Sequence, residues 1–470
     1  MRYLLLALTL SSLLFSRPSL ALVPFSLSDI WSIPQNKVTA TTKRTYTIKG
    51  VEVEEVFYES RPYKGKPVKI FGYYCYPVNR QGKLPAILLV HGGGGSAHLG
   101  RTLAWAQRGY ALLTIDLPGH GEQRKTSRST GPDMDVPILL RTKPSPDYNY
   151  LVHAVAATRN GISYLTSRDE VDKTRIGMVG LSWGGVITLL TNGQDDRLKT
   201  AVNIFGAGFI PEGCTWQDHF DKMSQEELET WNNIIDPKNF LATQHAPILF
   251  ISGTNDHCYY LPTFQKSYEK ISSAKNLYLV PNLRHRFLSD TQSVVWRWLD
   301  CRLKDKGNFP QITAQPAFLK QGTRIILSLT IEAKAGLADL TLQYTQGEPS
   351  KWTQRKWLTM KPAYEQSGTY YFSLPVAIIK PELMFFIIAR DKKGAAVSTP
   401  VRSIFPVYNN KTEEVYALTK VIEQVNLHGL PSQFVGLTIP PLRFRIYFSK
   451  KEKKYYLINL EGNEAKPGQP

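Results

Sequence analysis

Short apolar runs alternate with stretches of helical composition from Val51 to Leu303. A continuous apolar run bounded by turn residues fits a strand that is buried on both faces of a parallel sheet. The regular alternation therefore predicts an α/β fold with a mainly parallel central sheet. The predicted strands are Val51 to Tyr58, Val68 to Tyr76, Ala86 to Val90, Ala111 to Ile115, Arg175 to Val179, Lys199 to Phe205, Ile248 to Ser252 and Leu277 to Val280.

The pattern changes after Phe309. From there, apolar and mostly polar residues alternate along short segments separated by turn residues, as in Ile325, Leu327, Leu329 and Ile331. Alternation with period two and frequent turns predicts a small all-β sandwich. Beyond Tyr408 we expect a short α+β tail. It consists of one amphipathic helix with Val415, Leu418, Ile422 and Val425 on one face, then a strand pair over Phe444 to Phe448 and Tyr455 to Leu460.

The first residues have the pattern of an export signal. Arg2 supplies a positive start, Leu4 to Phe15 is an apolar run, and Ser19 to Ala21 offers a small-x-small cleavage site. The run is too short to span a bilayer, which takes about 20 apolar residues. We therefore expect a periplasmic or secreted protein, with an uncleaved anchor as the alternative. The expected parts are a signal peptide (1–21), an α/β domain (22–309), a β-sandwich (310–408) and a tail (409–470).

The composition narrows the classes of function. Hydrophobic residues make up 42% of the chain and charged residues 20%, which excludes a wholly disordered protein. The 57 Lys and Arg residues exceed the 39 Asp and Glu residues, and the formal net charge is +18. No long basic run accompanies this excess, and Lys450 to Lys454 is its densest stretch. We interpret the charge as a dispersed, solvated surface and expect no nucleic-acid partner.

The four cysteines, Cys75, Cys214, Cys258 and Cys301, leave their pairing open. Disulfides are allowed in an exported protein, and four cysteines permit three complete pairings. A Cys214–Cys258 pair is one alternative, and free thiols are the other. Their spacing does not match a zinc site.

The motif from Gly180 to Gly185, Gly-Leu-Ser-Trp-Gly-Gly, carries the strongest chemical signal. It follows a predicted strand and opens a predicted helix, as the nucleophile elbow of a serine hydrolase does. Its glycines allow a sharp turn that exposes the Ser182 hydroxyl above the sheet. An ordinary strand-to-helix turn is the alternative interpretation.

A serine nucleophile needs a base and a carboxylate that orients this base. Asp256 and His285 each follow a predicted strand, in the order serine, acid, histidine that this architecture uses. The other histidines lack that position. Asp116 also ends a strand, but it precedes Ser182, so we expect it to brace a loop.

Two backbone N–H groups are expected to bind the developing oxyanion. Trp183 follows the nucleophile and supplies one donor. The glycine run after the strand Ala86 to Val90 supplies the other, for which Gly93 is our choice and Gly94 nearly equal.

Together these motifs resemble the α/β-hydrolase superfamily over Val51 to Lys304. Within it, the chain is similar to dienelactone hydrolases, acetyl xylan esterases and prolyl oligopeptidases. Too few residues precede Val51 for the β-propeller of prolyl oligopeptidases, and Ser182 stands where dienelactone hydrolases have cysteine. The resemblance implies the hydrolase fold and a Ser182–His285–Asp256 triad. The region after Phe309 resembles Ig-like modules.

We therefore predict an exported serine hydrolase that cleaves carboxylic esters through an acyl-enzyme, without metal or organic cofactor. A peptidase or amidase is the first alternative, and a non-catalytic binding protein on the same fold is the second. The substrate is expected to be a small or polymer-borne ester. Trp216, Phe220 and Trp231, in a stretch that interrupts the alternation, either stack on substrate or anchor a cap. The C-terminal region is a candidate for contact with polysaccharide or the cell envelope, and the sequence does not give the oligomeric state.

Overall fold

The computed structural model describes residues 26–459, except 36–37, 120–126, 347–351, 380–381, 409–413, 421–435, 440–443 and 450–453. The proposed signal peptide lies outside these residues. Two regions follow one another along the chain, an α/β region up to Lys304 and a β-sandwich from Gln311.

The α/β region is built on a nine-stranded sheet with the order β1-β2-β3-β5-β4-β6-β7-β8-β9. The strands β1 to β3 pair antiparallel, β3 also pairs antiparallel with β5, and all later neighbours are parallel. The strands are β1 Ala40–Ile48, β2 Val51–Tyr63, β3 Lys66–Pro77, β4 Leu84–Val90, β5 Ala111–Ile115, β6 Val171–Leu181, β7 Thr200–Ile204, β8 Ile248–Gly253 and β9 Lys275–Val280.

Helices cover both faces of this sheet. The central strands β5, β7 and β8 are buried along their whole length, as their uninterrupted apolar runs require. The helices are α1 Leu27–Trp31, α2 Leu99–Ala106, α3 Val136–Leu139, α4 Tyr150–Ser167, α5 Trp183–Asn192, α6 Gln217–Phe220, α7 Gln225–Thr230, α8 Leu261–Lys270 and α9 Ser289–Lys304. One apolar core lies on the side of α4 and α5, and a second lies on the side of α2 and α9.

The β-sandwich consists of two antiparallel sheets around a third apolar core. The first sheet has the order β10-β11-β15-β14. The second has the order β13-β12-β16-β18-β19, and β17 pairs with β16. The strands are β10 Gln311–Gln321, β11 Arg324–Glu332, β12 Leu337–Thr345, β13 Leu358–Met360, β14 Tyr364–Gln366, β15 Thr369–Pro375, β16 Leu383–Asp391, β17 Ala396–Ser398, β18 Arg402–Tyr408 and β19 Glu414–Lys420. Apolar residues of β11 alternate inward, as the period-two pattern predicts.

The helix predicted from Val415 onward was wrong for its described part. Residues Glu414–Lys420 form β19, which pairs antiparallel with β18 over seven residues. The segment contains Val, Tyr and Thr, which favour strands, and the exposed edge of β18 offers a row of backbone groups with which such a strand can pair. Ile422 and Val425 lie outside the described residues. The strands β20 Gly436–Ile439, β21 Phe444–Ser449 and β22 Lys454–Asn459 form a small antiparallel sheet that includes the predicted strand pair.

The sandwich and the α/β region share one apolar core. Trp352, Trp357, Phe386 and Val401 of the sandwich belong to the same buried cluster as the residues around α4 and α5. The Gln265 side chain accepts from the Val401 N–H at 2.7 Å and donates to the Val401 carbonyl at 3.1 Å. The two regions are therefore packed against each other, and the chain that connects them is not their only contact.

The described part of the chain shows the state of the cysteines and the length and polarity of the helices. Cys75, Cys214, Cys258 and Cys301 are free thiols, the second of the two alternatives. Within the described ranges, the helices are all too short or too polar to cross a membrane.

Candidate active site

Ser182 lies on a strained turn between β6 and α5. Its φ of 58° and ψ of −119° are unusual for a residue with a side chain. Strain of this kind persists where the surroundings determine it and is concentrated at functional sites. A Cβ on Gly180 would come within 1.9 Å of the Gly184 carbonyl oxygen, and one on Gly184 within 2.3 Å of the Val90 carbonyl oxygen. Only glycine therefore allows α5 to pack this closely beneath Ser182.

The structure brings together the three side chains predicted as nucleophile, base and acid. His285 Nε2 lies 2.8 Å from Ser182 Oγ. His285 Nδ1 lies 2.8 Å from Asp256 Oδ2 and 3.0 Å from Oδ1. With Nδ1–H donated to the carboxylate, Nε2 is left to accept the serine proton. The arrangement is the one that activates a serine in hydrolases.

Asp256 is fixed from several sides. Its carboxylate is buried, and Oδ1 also accepts from the backbone N–H groups of Cys258 at 2.7 Å and Tyr259 at 3.2 Å. These bonds come from the turn that follows β8, because the chain reverses direction directly behind the acid. The carboxylate is therefore held in one orientation toward His285.

Competing effects set the pKa of His285. Burial of the ring lowers this pKa. The hydrogen bond and charge of Asp256 and the side chain of Cys258 outweigh burial and raise the pKa of His285 to about 9. Asp256 therefore favours the imidazolium form of His285, the form that arises when the ring takes up the serine proton. Base catalysis itself starts from the neutral ring.

The glycine loop after β4 lies beside the nucleophile. A Cβ on Gly92 would come within 2.8 Å of Ser182 Cβ, and one on Gly93 within 3.3 Å of Trp183 Cδ1. Trp183 is the first residue of α5, so its N–H has no acceptor within the helix. The structure thus places Gly93 and Trp183 next to each other at Ser182. Gly94 has a φ of 69° at the turn beyond them.

His91 and Asp116 shape this loop, and for Asp116 the sequence predicts this role. His91 Nε2 accepts from the Leu117 N–H at 3.0 Å, and its Nδ1 lies 2.7 Å from the Gly92 carbonyl oxygen. The Asp116 carboxylate accepts from the N–H groups of Ala97 at 2.6 Å and Arg128 at 2.9 Å. Both side chains are engaged with backbone and hold the loop ends.

Aromatic rings surround the reactive side chains. The rings of Trp183 and Trp216 have centroids 4.8 Å apart, and Phe205 lies 4.7 Å from the His285 ring. Phe220 and Trp231 are buried, and they therefore anchor the segment between β7 and β8. Of the three aromatic residues singled out in this stretch, only Trp216 is partly exposed next to the site.

Buried Asp236 organises the same segment. Its carboxylate accepts from the N–H groups of Phe209 and Ile210 at 2.8 and 2.9 Å and from Trp231 Nε1 at 3.2 Å. Burial raises the pKa of this carboxyl group, which the backbone hydrogen bonds oppose. Asp236, which the sequence did not single out, therefore helps to fix this segment together with the buried Phe220 and Trp231.

One group of described side chains has donor atoms suited to a metal ion. The ligand atoms of Asp256, His257 and Cys258 lie within 4.8 Å of one another. The Asp256 carboxylate, however, already accepts from His285 and from two backbone N–H groups. We therefore assign the Asp256 carboxylate to the hydrogen-bond network around His285.

Sequence reasoning missed two asparagines beside the acid and the base. Asn255 and Asn282 hydrogen-bond to the backbone of the β-sandwich. Asn255 was visible only as part of the turn before Asp256. For Asn282 the sequence offers no signal, because its partner is backbone far along the chain.

Comparisons with known proteins find similarity to esterases over part of the chain. Residues 30–207 match the acetyl xylan esterase (AXE1) family, and residues 213–333 match the family of PhoPQ-activated pathogenicity-related proteins. The acetyl esterase Axe7A of Xylanibacter ruminicola is 24% identical over 250 residues, which are 50% of this chain and 56% of that protein. The chain thus spans about half the length of the curated relatives it matches.

Solved structures show the same likeness. An acetyl xylan esterase from Paenibacillus sp. R4 has a TM-score of 0.50 at 20% identity, and the match covers 59% of this chain and 92% of that one. Acetyl xylan esterase 1 from Thermoanaerobacterium sp. JW/SL YS485 has a TM-score of 0.50 at 17% identity, over 58% and 92%. At this identity the likeness concerns the fold.

Proposed function

We propose that this chain, which has the α/β-hydrolase fold predicted from its sequence, hydrolyses carboxylic esters with Ser182 as nucleophile. The observation that carries the proposal is the continuous contact from Ser182 Oγ through His285 to buried Asp256, at 2.8 Å for each step. The matched acetyl xylan esterase family supports the reaction class.

In the proposed reaction, neutral His285 takes the Ser182 proton at Nε2 while Oγ attacks the acyl carbon. Asp256 holds the Nδ1–H tautomer and stabilises the imidazolium that forms. The N–H groups of Trp183 and Gly93 bind the carbonyl oxygen as it becomes negative. His285 then returns the proton to the leaving alcohol, and the acyl group remains on Ser182.

Water completes the cycle by the same route. His285 removes a proton from a water molecule that attacks the acyl-enzyme, and Ser182 leaves with the proton from His285. Every step uses side chains and backbone of this chain, so the proposed mechanism needs no metal or organic cofactor.

We further propose that the substrates are acetyl esters carried on sugars. The named relatives act on acetyl esters or acetylated xylan, and Trp216 presents a partly exposed ring beside the nucleophile, where a sugar can stack.

The apolar run from Leu4 to Phe15 supports export to the periplasm or medium, where such polymers are found. The proposed export is tested by sequencing the N-terminus of the protein recovered outside the cytoplasm.

The first experiment is labelling with a fluorophosphonate probe, comparing wild type with Ser182→Ala. We expect labelling of the wild type alone, and a loss of ester turnover in the variant of about five to six orders of magnitude. Circular dichroism of both proteins controls for folding. An unlabelled, folded wild type would instead favour a binding protein on this fold.

Substrate screening follows the labelling. Nitrophenyl esters of increasing chain length, acetylated xylo-oligosaccharides and peptide amides are compared by kcat/KM. We expect acetyl esters to be preferred. Peptide amide hydrolysis at rates that match esters would contradict the proposal and favour a peptidase.

A further inference from the structure

The β-sandwich reaches the acid and the base through one short segment. Residues 352–357, here called the contact segment, lie between β12 and β13 and begin with a turn of 3₁₀ helix over Trp352–Gln354. The segment is packed firmly. Trp357 is buried against Phe386 with ring centroids 5.0 Å apart, and the Arg355 guanidinium lies 4.7 Å above the Trp352 ring.

Asn255 connects the acid loop to this segment. It directly precedes Asp256, is buried, and donates from Nδ2 to the carbonyl oxygens of Thr353 at 3.2 Å and Arg355 at 2.6 Å. Its backbone N–H donates to the Leu283 carbonyl oxygen at 3.0 Å, which lies in the base loop. A shift of the contact segment therefore acts on the residue next to the acid.

Asn282 makes the matching connection from the base loop, three residues before His285. Its Nδ2 donates to the Trp357 carbonyl oxygen at 2.9 Å, and its Oδ1 accepts from the Trp357 N–H at 2.8 Å. Its φ of 59° is a left-handed conformation that asparagine and glycine adopt most readily. The side chain thus pairs with the sandwich as a neighbouring strand would.

Thr254 joins the two asparagines. Its fully buried hydroxyl accepts from the Asn282 N–H at 2.8 Å and donates to Asn255 Oδ1 at 2.7 Å. The contact segment, the acid loop and the base loop are therefore linked by one hydrogen-bonded network, which ends at the residues that hold the His285–Asp256 pair.

We propose that Thr254, Asn255 and Asn282 are positioning residues through which the β-sandwich sets the geometry of the acid and the base. This inference rests on the proposed function, because it concerns the same acid and base. It gives the sandwich a role in the reaction, whereas the sequence suggested contact with polysaccharide or the cell envelope. The sandwich contributes backbone carbonyl and N–H groups. The side chains that hydrogen-bond to them, Asn255 and Asn282, belong to the loops that carry the acid and the base.

The test uses full-length protein and a small nitrophenyl acetate substrate. Asn282→Gly keeps the left-handed backbone but removes both bonds to Trp357, and Asn255→Ala removes the bonds to the contact segment. Thr254→Val removes the linking hydroxyl at nearly constant shape, whereas Thr254→Ser keeps it. We expect the first three variants to lose about tenfold or more in kcat with KM within about threefold, because small misplacements of catalytic groups slow the reaction strongly. Thr254→Ser is expected to retain kcat.

Gln265→Ala is the matched control. Gln265 pairs with the Val401 backbone in the same two-way manner, but it lies on α8, and these bonds involve neither the acid loop nor the base loop. We expect it to lower thermal stability and leave kcat within about twofold of wild type. Equal loss of kcat in Gln265→Ala, or unchanged kcat in folded Asn282→Gly and Thr254→Val, would overturn the proposal.

Fluorophosphonate labelling separates this inference from the proposed function. A wild type that labels at Ser182 and turns over ester, with unaffected variants, refutes only the positioning role. A folded wild type that neither labels nor hydrolyses any ester refutes the proposed function itself, and the positioning role with it.

Discussion

The α/β region and the β-sandwich serve the site with different atoms. The first places reactive side chains, Ser182, Asp256 and His285, directly behind the ends of strands. The second offers backbone groups of residues 352–357 to two asparagine side chains. Side-chain chemistry leaves a trace in the sequence, because only certain residue types can perform it. Backbone groups are the same in every residue, so their part in a site becomes visible only when the chain is folded.

Among the variants that compare the two regions, the largest expected effect comes from one that removes the chemistry and leaves the fold intact. Asp256→Asn disturbs the tautomer of His285 and should lower kcat by about 10⁴-fold. Thermal unfolding followed by circular dichroism is expected to change little by comparison. Asp300→Asn, which alters a carboxylate bound to Tyr110 and Arg108 away from the site, is the control. A kcat of Asp256→Asn close to that of wild type contradicts the role of the acid.

The second effect removes packing and spares the chemistry. Phe372 is fully buried in the sandwich and Phe250 in the α/β region. Replacing either with Ala should reduce the free energy of unfolding by about 3–5 kcal/mol. Because the two regions share a core, we expect one calorimetric transition in both variants, shifted to lower temperature. A separate, earlier transition of the sandwich in Phe372→Ala is the result that contradicts a shared core.

The smallest effect concerns pH. A His285 pKa of about 9 means that lowering the pH through this value protonates the base, so kcat/KM should fall on the acid side. The Cys258 side chain helps to raise this pKa, so Cys258→Ala should move the acid limb to lower pH. Cys301→Ala, a thiol on α9, is the control and should leave the limb in place. A profile that is flat down to pH 4 rules out His285 as the base.

Much of the α/β region could be predicted because its strands are uninterrupted apolar runs. The predicted Ile248 to Ser252 corresponds to β8 Ile248–Gly253, and Ala111 to Ile115 to β5 with the same bounds. The positions of Asp256 and His285 followed from these strand ends. The helix predicted after Tyr408 was wrong where it is described, because a segment with helical spacing of apolar residues pairs with β18 as an edge strand.

Contacts between distant parts of the chain account for the rest of what was missed. The hydrogen bonds of Asn255 and Asn282 join residues 75 to 100 positions apart, and neither residue type nor spacing announces them. The carboxylate of Asp236 is similar, because it binds backbone N–H groups 26 and 27 residues earlier. Such bonds depend on the completed fold.

The neighbouring rings of Trp183 and Trp216 give the site an optical signature. Two indoles with centroids 4.8 Å apart and planes inclined by 42° couple their electronic transitions. One ring belongs to the residue after Ser182 and the other to the segment between β7 and β8. Near-ultraviolet circular dichroism, which reports fixed tertiary packing, therefore records the approach of that segment to the nucleophile without any added label.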